Sequence, residues 1–279
     1  MKKLTAFITA SLTFLCFALP PAAHAGRTCE AKKLTPQTLE RSFALAEKTL
    51  TALNASGEKV VILARAGQDL TKYGLRYSHL GLAYQLPDGQ GGHTWRVLHK
   101  LNECGTSTSA IYRQGLGEFF LDDLWRAEAA WIAPSAEVQS RLLTVIQSPT
   151  QAIQMHHKPY SIVSYVWGKR YQQSNQWAIE TLASAMEPSI AQSSYNVTDT
   201  RGKAQAWLQF KGYQPTTLKI DSLTRLGGRI SSANVAFDDH PSEKRFSDRI
   251  ETVTVDSVFQ WLQRSPLSTP NKAVTVVKL

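Results

Sequence analysis

Residues 59–101 restrict the fold more than any other part of the chain, because three short apolar runs alternate there with turn sequences. Residues 59–65 are a nearly continuous aliphatic run, which is typical of a buried strand. Residues 77–84 and 95–101 are two more strand-like runs, and Pro87-Asp88-Gly89 marks a hairpin turn between them. The segment therefore predicts an antiparallel meander.

Helical patterns surround this meander. Thr35-Pro36 predicts a helix start, and apolar residues then recur at steps of three and four up to residue 55. Further helices are predicted over 135–146, 174–183 and 199–210, and further strands over 218–220, 233–237 and 252–255. The mixture predicts an α+β fold, with a central antiparallel sheet built from residues 59–101 and 218–255 and packed with helices.

The N-terminus has the three parts of an export signal. Lys2 and Lys3 precede an uncharged apolar run over residues 4–19, and Ala23-His24-Ala25 forms a small-residue cleavage site. We expect residues 1–25 to be a signal peptide cleaved before Gly26, which places the mature chain in the periplasm or outside the cell, without a membrane-spanning segment. Residues 26–264 are predicted to form a single domain, and residues 265–279 a loose tail.

Charge and cysteines fit this compartment. The net charge is +9, but the basic residues are scattered and never form a run of five. We therefore expect no nucleic-acid partner and interpret the charge as a basic surface near anionic lipid or cell wall. Cys29 and Cys104 remain after cleavage and predict one disulfide, since the compartment is oxidising. A nucleophilic Cys104 is the alternative.

Two histidines on neighbouring strands are candidates for acid–base chemistry. His79 interrupts an apolar strand, and His99 lies on the next strand, where it could orient the His79 ring through a hydrogen bond. The alternative is a buried histidine with a purely structural role. The histidines lack the short ligand spacing of a zinc site, so no metal and no cofactor are predicted.

Ser174 is the candidate nucleophile. It precedes a predicted helix, where backbone N–H groups and the helix dipole favour a developing negative charge. The chain has no Gly-x-Ser-x-Gly elbow of the α/β-hydrolases. Serine is equally a favoured helix cap, and this alternative stays open.

The chain resembles the DUF2145 family of exported bacterial proteins, a family that carries no established activity. Four stretches carry the resemblance: residues 76–81 (RYSHLG), 98–102 (LHKLN), 171–177 (YQQSNQW) and 233–241 (ANVAFDDHP).

More distantly, the chain is similar to the circularly permuted NlpC/P60 group of papain-like hydrolases. In that group a strand carries Ser-His-x-Gly, the next strand carries a third polar residue, and a later helix begins with cysteine. Ser78-His79-Leu80-Gly81, His99 and Ser174 match these positions, with serine in place of cysteine. The resemblance implies a papain-like α+β fold with Ser174 as nucleophile, His79 as general base and His99 as the orienting group.

Two classes of function follow from these residues. The first is a hydrolase or acyl-transferase that acts on amide or ester bonds of a cell-wall peptide, lipid or protein. The second is a non-catalytic binding or assembly protein that keeps the same cleft, because serine is a weaker nucleophile than a thiol of lowered pKa.

Overall fold

The structure is a computed structural model that describes residues 34–122, 124–192, 197–268 and 273–279. The predicted signal peptide and Cys29 lie outside the described residues. The cleavage site before Gly26 and the Cys29–Cys104 disulfide therefore stay predictions.

A six-stranded sheet forms the centre of the fold, and every neighbouring pair of its strands is antiparallel. Its strands along the chain are β1 (Val60–Arg65), β2 (His79–Pro87), β3 (His93–Asn102), β4 (Ser109–Gly115), β5 (Glu128–Ile132) and β8 (Thr275–Lys278). They lie side by side in the order β4-β3-β2-β1-β5-β8. The candidate histidines are thus on adjacent strands, β2 and β3.

Strand β1 shows why its sequence is apolar without interruption. Val60 and Ile62 point into the apolar core on one face of the sheet, and Val61 and Leu63 point into the core on the other face. A strand covered on both faces has no position left for a solvated side chain. The predicted meander of residues 59–101 is present as β1, β2 and β3.

Helices cover both faces of the sheet. One face packs against α1 (Pro36–Ser56) and α2 (Leu116–Leu121). The helices packed into the opposite core are α3 (Ala136–Gln147), α4 (Pro149–Gln154), α5 (Ser174–Met186), α6 (Ser189–Gln192), α7 (Val197–Phe210) and α10 (Val255–Arg264). Among the described residues, none of these helices combines the length and apolar composition needed to cross a membrane.

A small subdomain lies between α7 and α10 in the chain. It contains a second sheet of two antiparallel strands, together with two short helices. Its elements are β6 (Thr216–Lys219), α8 (Ser222–Ser231), α9 (Ser242–Phe246) and β7 (Arg249–Thr252). Its apolar residues form a third, separate cluster with residues of the loop between β1 and β2.

The α+β prediction is confirmed, but four assignments within it were wrong. The strand predicted over 252–255 lies instead at Arg249–Thr252, and helix α10 already begins at Val255. Residues 218–255 do not extend the central sheet, because β6 and β7 pair with each other. Residues 233–237 form turns and irregular backbone, not a strand. The tail predicted to be loose contains β8, which pairs with β5 and buries Val277 against the α1 side of the sheet.

Candidate active site

His79 and His99 are in direct contact at the centre of the candidate site. Nε2 of His79 lies 2.9 Å from Nδ1 of His99, and Nε2 of His99 lies 2.8 Å from Oε1 of Gln114 on β4. His99 is fully buried, whereas His79 is 9% exposed and lines a cavity. The three side chains therefore form a hydrogen-bonded row that ends at the cavity.

The row fixes the tautomers of both rings. The Gln114 amide oxygen is an acceptor, so Nε2 of His99 must carry the hydrogen. Nδ1 of the neutral His99 ring is then an acceptor, and Nε2 of His79 donates to it. In the described part of the chain no hydrogen bond reaches Nδ1 of His79, which keeps its lone pair. His79 is thus oriented with an unprotonated nitrogen.

Burial keeps both rings neutral near neutral pH. Desolvation lowers the pKa of His79 well below 6.5, and the nearby Arg65 cation and His99 lower it further. Desolvation and Arg65 lower the pKa of His99 to about 4, against an opposing contribution from the Gln114 hydrogen bond. Arg65 itself is buried, and it forms an ion pair with Asp122. An unprotonated His79 can accept a proton, but the same burial and the same Arg65 cation weaken its basicity.

Gly81 explains the spacing of the Ser-His-x-Gly motif. It follows His79 by two residues and therefore points to the same face of β2. A β-carbon at this position would overlap Cγ1 of Val97, and it would lie 3.2 Å from Cε2 of Phe119 and 3.5 Å from Cβ of His99. Glycine is needed here because the space beside His79 is filled by the side chains that pack around His99.

Replacing Gly81 with alanine is expected to destabilise the fold by about 1–3 kcal/mol, because Val97 is fully buried and cannot move away. Denaturant midpoints would measure the change. The matched control is Gly227→Ala, since a β-carbon there meets no atom within 4 Å and lies in helix α8. That control should be neutral or stabilising by up to about 1 kcal/mol. Equal effects of the two substitutions would contradict this account of Gly81.

Ser174 is the first residue of α5, but it does not cap the helix. The N-cap is Gln173, whose side chain accepts a 2.8 Å hydrogen bond from the backbone N–H of Asn175. The alternative that Ser174 caps this helix is therefore wrong. Ser174 Oγ instead lies 3.4 Å from the hydroxyl of Tyr160, a long contact for two hydroxyl groups. The Ser174 hydroxyl is therefore not used as a helix cap.

Asn175 attaches the start of α5 to strand β2. Its Oδ1 accepts a 2.9 Å hydrogen bond from the backbone N–H of Leu80, and its Nδ2 lies 3.4 Å from the carbonyl oxygen of Ser78. Leu80 and Asn175 directly follow His79 and Ser174 in the chain. This attachment joins the backbone of β2 to the start of α5, whereas the His79 ring itself points to the other face of the sheet, where it packs against Phe119 of α2.

A cavity of about 840 Å³ connects the candidate residues. His79, Ser174, Asn175, Tyr160 and Gln114 all line it, whereas His99 lies behind His79 and does not. His79 and Ser174 thus line one cavity, although the His79–His99 pair packs on the α1–α2 face of the sheet and α5 packs on the opposite face. Within the described residues, however, no hydrogen bond joins Ser174 Oγ to the His79 ring.

Three further residues of this region were not predicted from the sequence. Gln114 lies on β4, whose few apolar residues gave no strand signal; its register opposite Val97 places it on the His99 face. Asn175 directly follows Ser174, and a buried polar residue at a helix start is a usable signal. Tyr160 comes from an irregular segment, and no sequence pattern identifies it.

A metal centre is not built from the same side chains. In the ranges that the structure describes, no three His, Cys, Asp or Glu side chains are grouped so that they could hold a metal ion.

The fold and the site together define the class of this protein: an α+β domain with a histidine pair and a helix-start serine around one cavity. The family model of uncharacterized proteins conserved in bacteria (DUF2145) matches residues 52–262, and the chain belongs to that family. No curated protein and no solved structure matches the chain.

Proposed function

We propose that this chain is an exported hydrolase or acyl-transferase that acts on amide or ester bonds. Ser174 is the nucleophile, His79 the general base, and His99 the group that orients His79. The permuted NlpC/P60-like, papain-like relationship is part of the same proposal. The observation that carries it is the Gln114–His99–His79 row, which leaves a lone pair on His79, a residue that lines the same cavity as Ser174.

The proposed reaction has two half-reactions. Ser174 Oγ attacks the carbonyl carbon, its proton moves to Nδ1 of His79, and the protonated ring then gives that proton to the leaving amine or alcohol. An acyl group remains on Ser174. Water or a second alcohol or amine then attacks the acyl carbon, gives its proton to His79, and releases the serine, which recovers its hydrogen from the ring.

Two features of the site support these roles. The hydrogen bonds from Gln114 through His99 orient the His79 ring with Nδ1 unprotonated, so it accepts a proton without first losing one. The start of α5, a helix of 13 residues, presents the positive end of its dipole where negative charge develops on the carbonyl oxygen. The proposal requires one movement: Ser174 Oγ contacts the Tyr160 hydroxyl in the structure and has to turn to His79 when substrate binds.

The second candidate is a non-catalytic binding protein that uses the same cavity. One observation favours it: Ser174 Oγ is paired with Tyr160 and not with His79. In this alternative the histidine row is structural, and the cavity binds its ligand without changing it.

Labelling with a fluorophosphonate and turnover of p-nitrophenyl esters distinguish the two. The proposal predicts one covalent adduct, located by peptide mass spectrometry on Ser174, and ester turnover that Ser174→Ala lacks. An adduct elsewhere, or ester turnover no higher than that of Ser174→Ala together with no adduct, would leave the binding protein as the better account.

A further inference from the structure

The cavity has two chemically different ends. His79 and Ser174 lie at the polar end. The other end is lined by side chains from the β1–β2 loop, the segment before α5, and the small subdomain: Leu75, Val163, Leu218, Ile220, Val235 and Phe237. We call these six residues the apolar wall.

The apolar wall is part of the third apolar cluster of the fold. In that cluster, Ile250 is the member that does not line the cavity. The cluster is therefore buried from the outer surface and at the same time forms one wall of the cavity, since Leu75, Leu218, Ile220 and Phe237 are only 4–9% exposed and all line it. Apolar surface left facing water is unfavourable, and an apolar ligand that covers it is bound favourably.

Helix α8 provides a second and independent observation. Its residues Thr224 and Gly228, four positions apart, line the cavity. Leu223, Leu226 and Ile230 are 79%, 56% and 58% exposed, and their spacing of three and four places them on one face of the helix. Helix α8 thus lies between the cavity and an outward-facing apolar surface.

The charge on and around this helix favours one occupant of its outer face. Arg229 is the exposed cation of α8, beside Ile230, whereas Arg225 is buried and paired with Asp248, and Asp221 caps the helix at its other end. Without residues 1–25, which hold Lys2 and Lys3 and no acidic residue, the net charge of +9 becomes +7, so two copies repel each other, whereas an anionic lipid surface attracts the chain. Exposed aliphatic side chains flanked by a cation are the features with which a surface helix enters such an interface.

We propose that the cavity binds the acyl chain of a membrane lipid. The acyl chain lies along the apolar wall, and the outer face of α8 rests on the anionic lipid surface from which it is taken. The lipid carbonyl lies at His79 and Ser174; that last placement rests on the proposed function, whereas binding of the chain does not.

Displacement of a fluorescent fatty acid by palmitate tests the binding site. Wild type and Ser174→Ala should bind alike, whereas Val163→Asp and Val235→Asp should bind about tenfold more weakly or worse, because a carboxylate in the apolar wall is buried without a partner. Circular dichroism verifies that the variants are folded. The matched control is Ile153→Asp, which alters an exposed aliphatic residue outside the cavity and should bind as wild type does.

Either of two results would overturn the acyl site: wild type that does not bind the fatty acid, or folded wall variants that bind as tightly as wild type. Acyl binding without ester turnover would contradict the proposed function and leave this inference standing. Turnover without acyl binding would support the proposed function and contradict this inference.

Sedimentation with vesicles tests the source of the chain. The wild type should sediment with phosphatidylglycerol vesicles more than with phosphatidylcholine vesicles, and a Leu223→Ser, Leu226→Ser double variant should lose this binding. Phe210→Ser is the control, because Phe210 is 82% exposed on α7. Fatty-acid binding without vesicle binding would show that the cavity binds a free fatty acid, and it would contradict the claim that the acyl chain comes from a membrane. A dimer that the double variant dissociates would make this face an interface between copies, with the same consequence.

Discussion

Ser174→Ala and His79→Ala are each expected to lower turnover by about 10³-fold or more, whereas Ser174→Cys should keep or raise it. A thiol at a helix start beside an imidazole ionises more readily than a hydroxyl does. The Ser174→Ala, His79→Ala double variant should be little worse than either single variant, because residues that act as one unit are not additive. Steady-state kinetics on the p-nitrophenyl esters would measure this.

Variants of Gln114 test whether the orientation of the His99 and His79 rings matters for turnover. Gln114→Leu removes the acceptor that fixes the His99 tautomer, and it should lower turnover. Gln114→Glu keeps an acceptor and should restore turnover with a shifted pH profile, because a carboxylate beside the row favours protonated rings. Full activity in both His79→Ala and Gln114→Leu would remove the histidine row from the mechanism.

Arg201→Met should lower the free energy of unfolding by about 3–5 kcal/mol, because it leaves a carboxylate buried without its cation. Arg201 on α7 and Glu180 on α5 are fully buried, with Nε 2.8 Å from Oε2. Arg201 also donates to the carbonyl oxygens of Gly168, Lys169 and Tyr171. The pair therefore holds both α5 and the segment that leads into Ser174.

The matched control is Arg141→Met, which removes an exposed pair with Glu137 four residues earlier in α3. Exposed pairs of this kind contribute about 0.5 kcal/mol or less. Replacing Arg201 and Glu180 together by Met and Leu should recover much of the loss, since no lone charge then remains. Equal melting-temperature shifts for Arg201→Met and Arg141→Met would contradict this account of the buried pair.

The local parts of the fold could be predicted from the sequence. Thr35-Pro36 predicted the start of helix α1, and the apolar run of residues 59–65 predicted strand β1. Both predictions succeeded because these signals come from residues that are neighbours in the sequence. Strand β8 could not be predicted. It pairs with β5 across more than a hundred residues, and its apolar side chains find a partner surface only after the sheet has formed.

In the candidate site, too, features set by neighbouring residues could be predicted and features set by distant residues could not. The alternation in β2 and β3 indicated that His79 and His99 lie on neighbouring strands. The hydrogen bond between their rings also depends on the absence of a side chain at Gly81 and on an acceptor from β4. The cap at Gln173 was missed because glutamine is not among the usual N-cap residues, and its neighbour Ser174 is.

The nitrogen-detected NMR spectrum of the histidine rings tests the central claim most directly. Near pH 7 it should show His79 and His99 as neutral rings with the hydrogen on Nε2 and the lone pair on Nδ1. On acidification His99 should titrate at about 4. The hydrogen on Nδ1 of His79, or a ring already charged near pH 7, would contradict the account, because His79 would then have no lone pair to offer to Ser174.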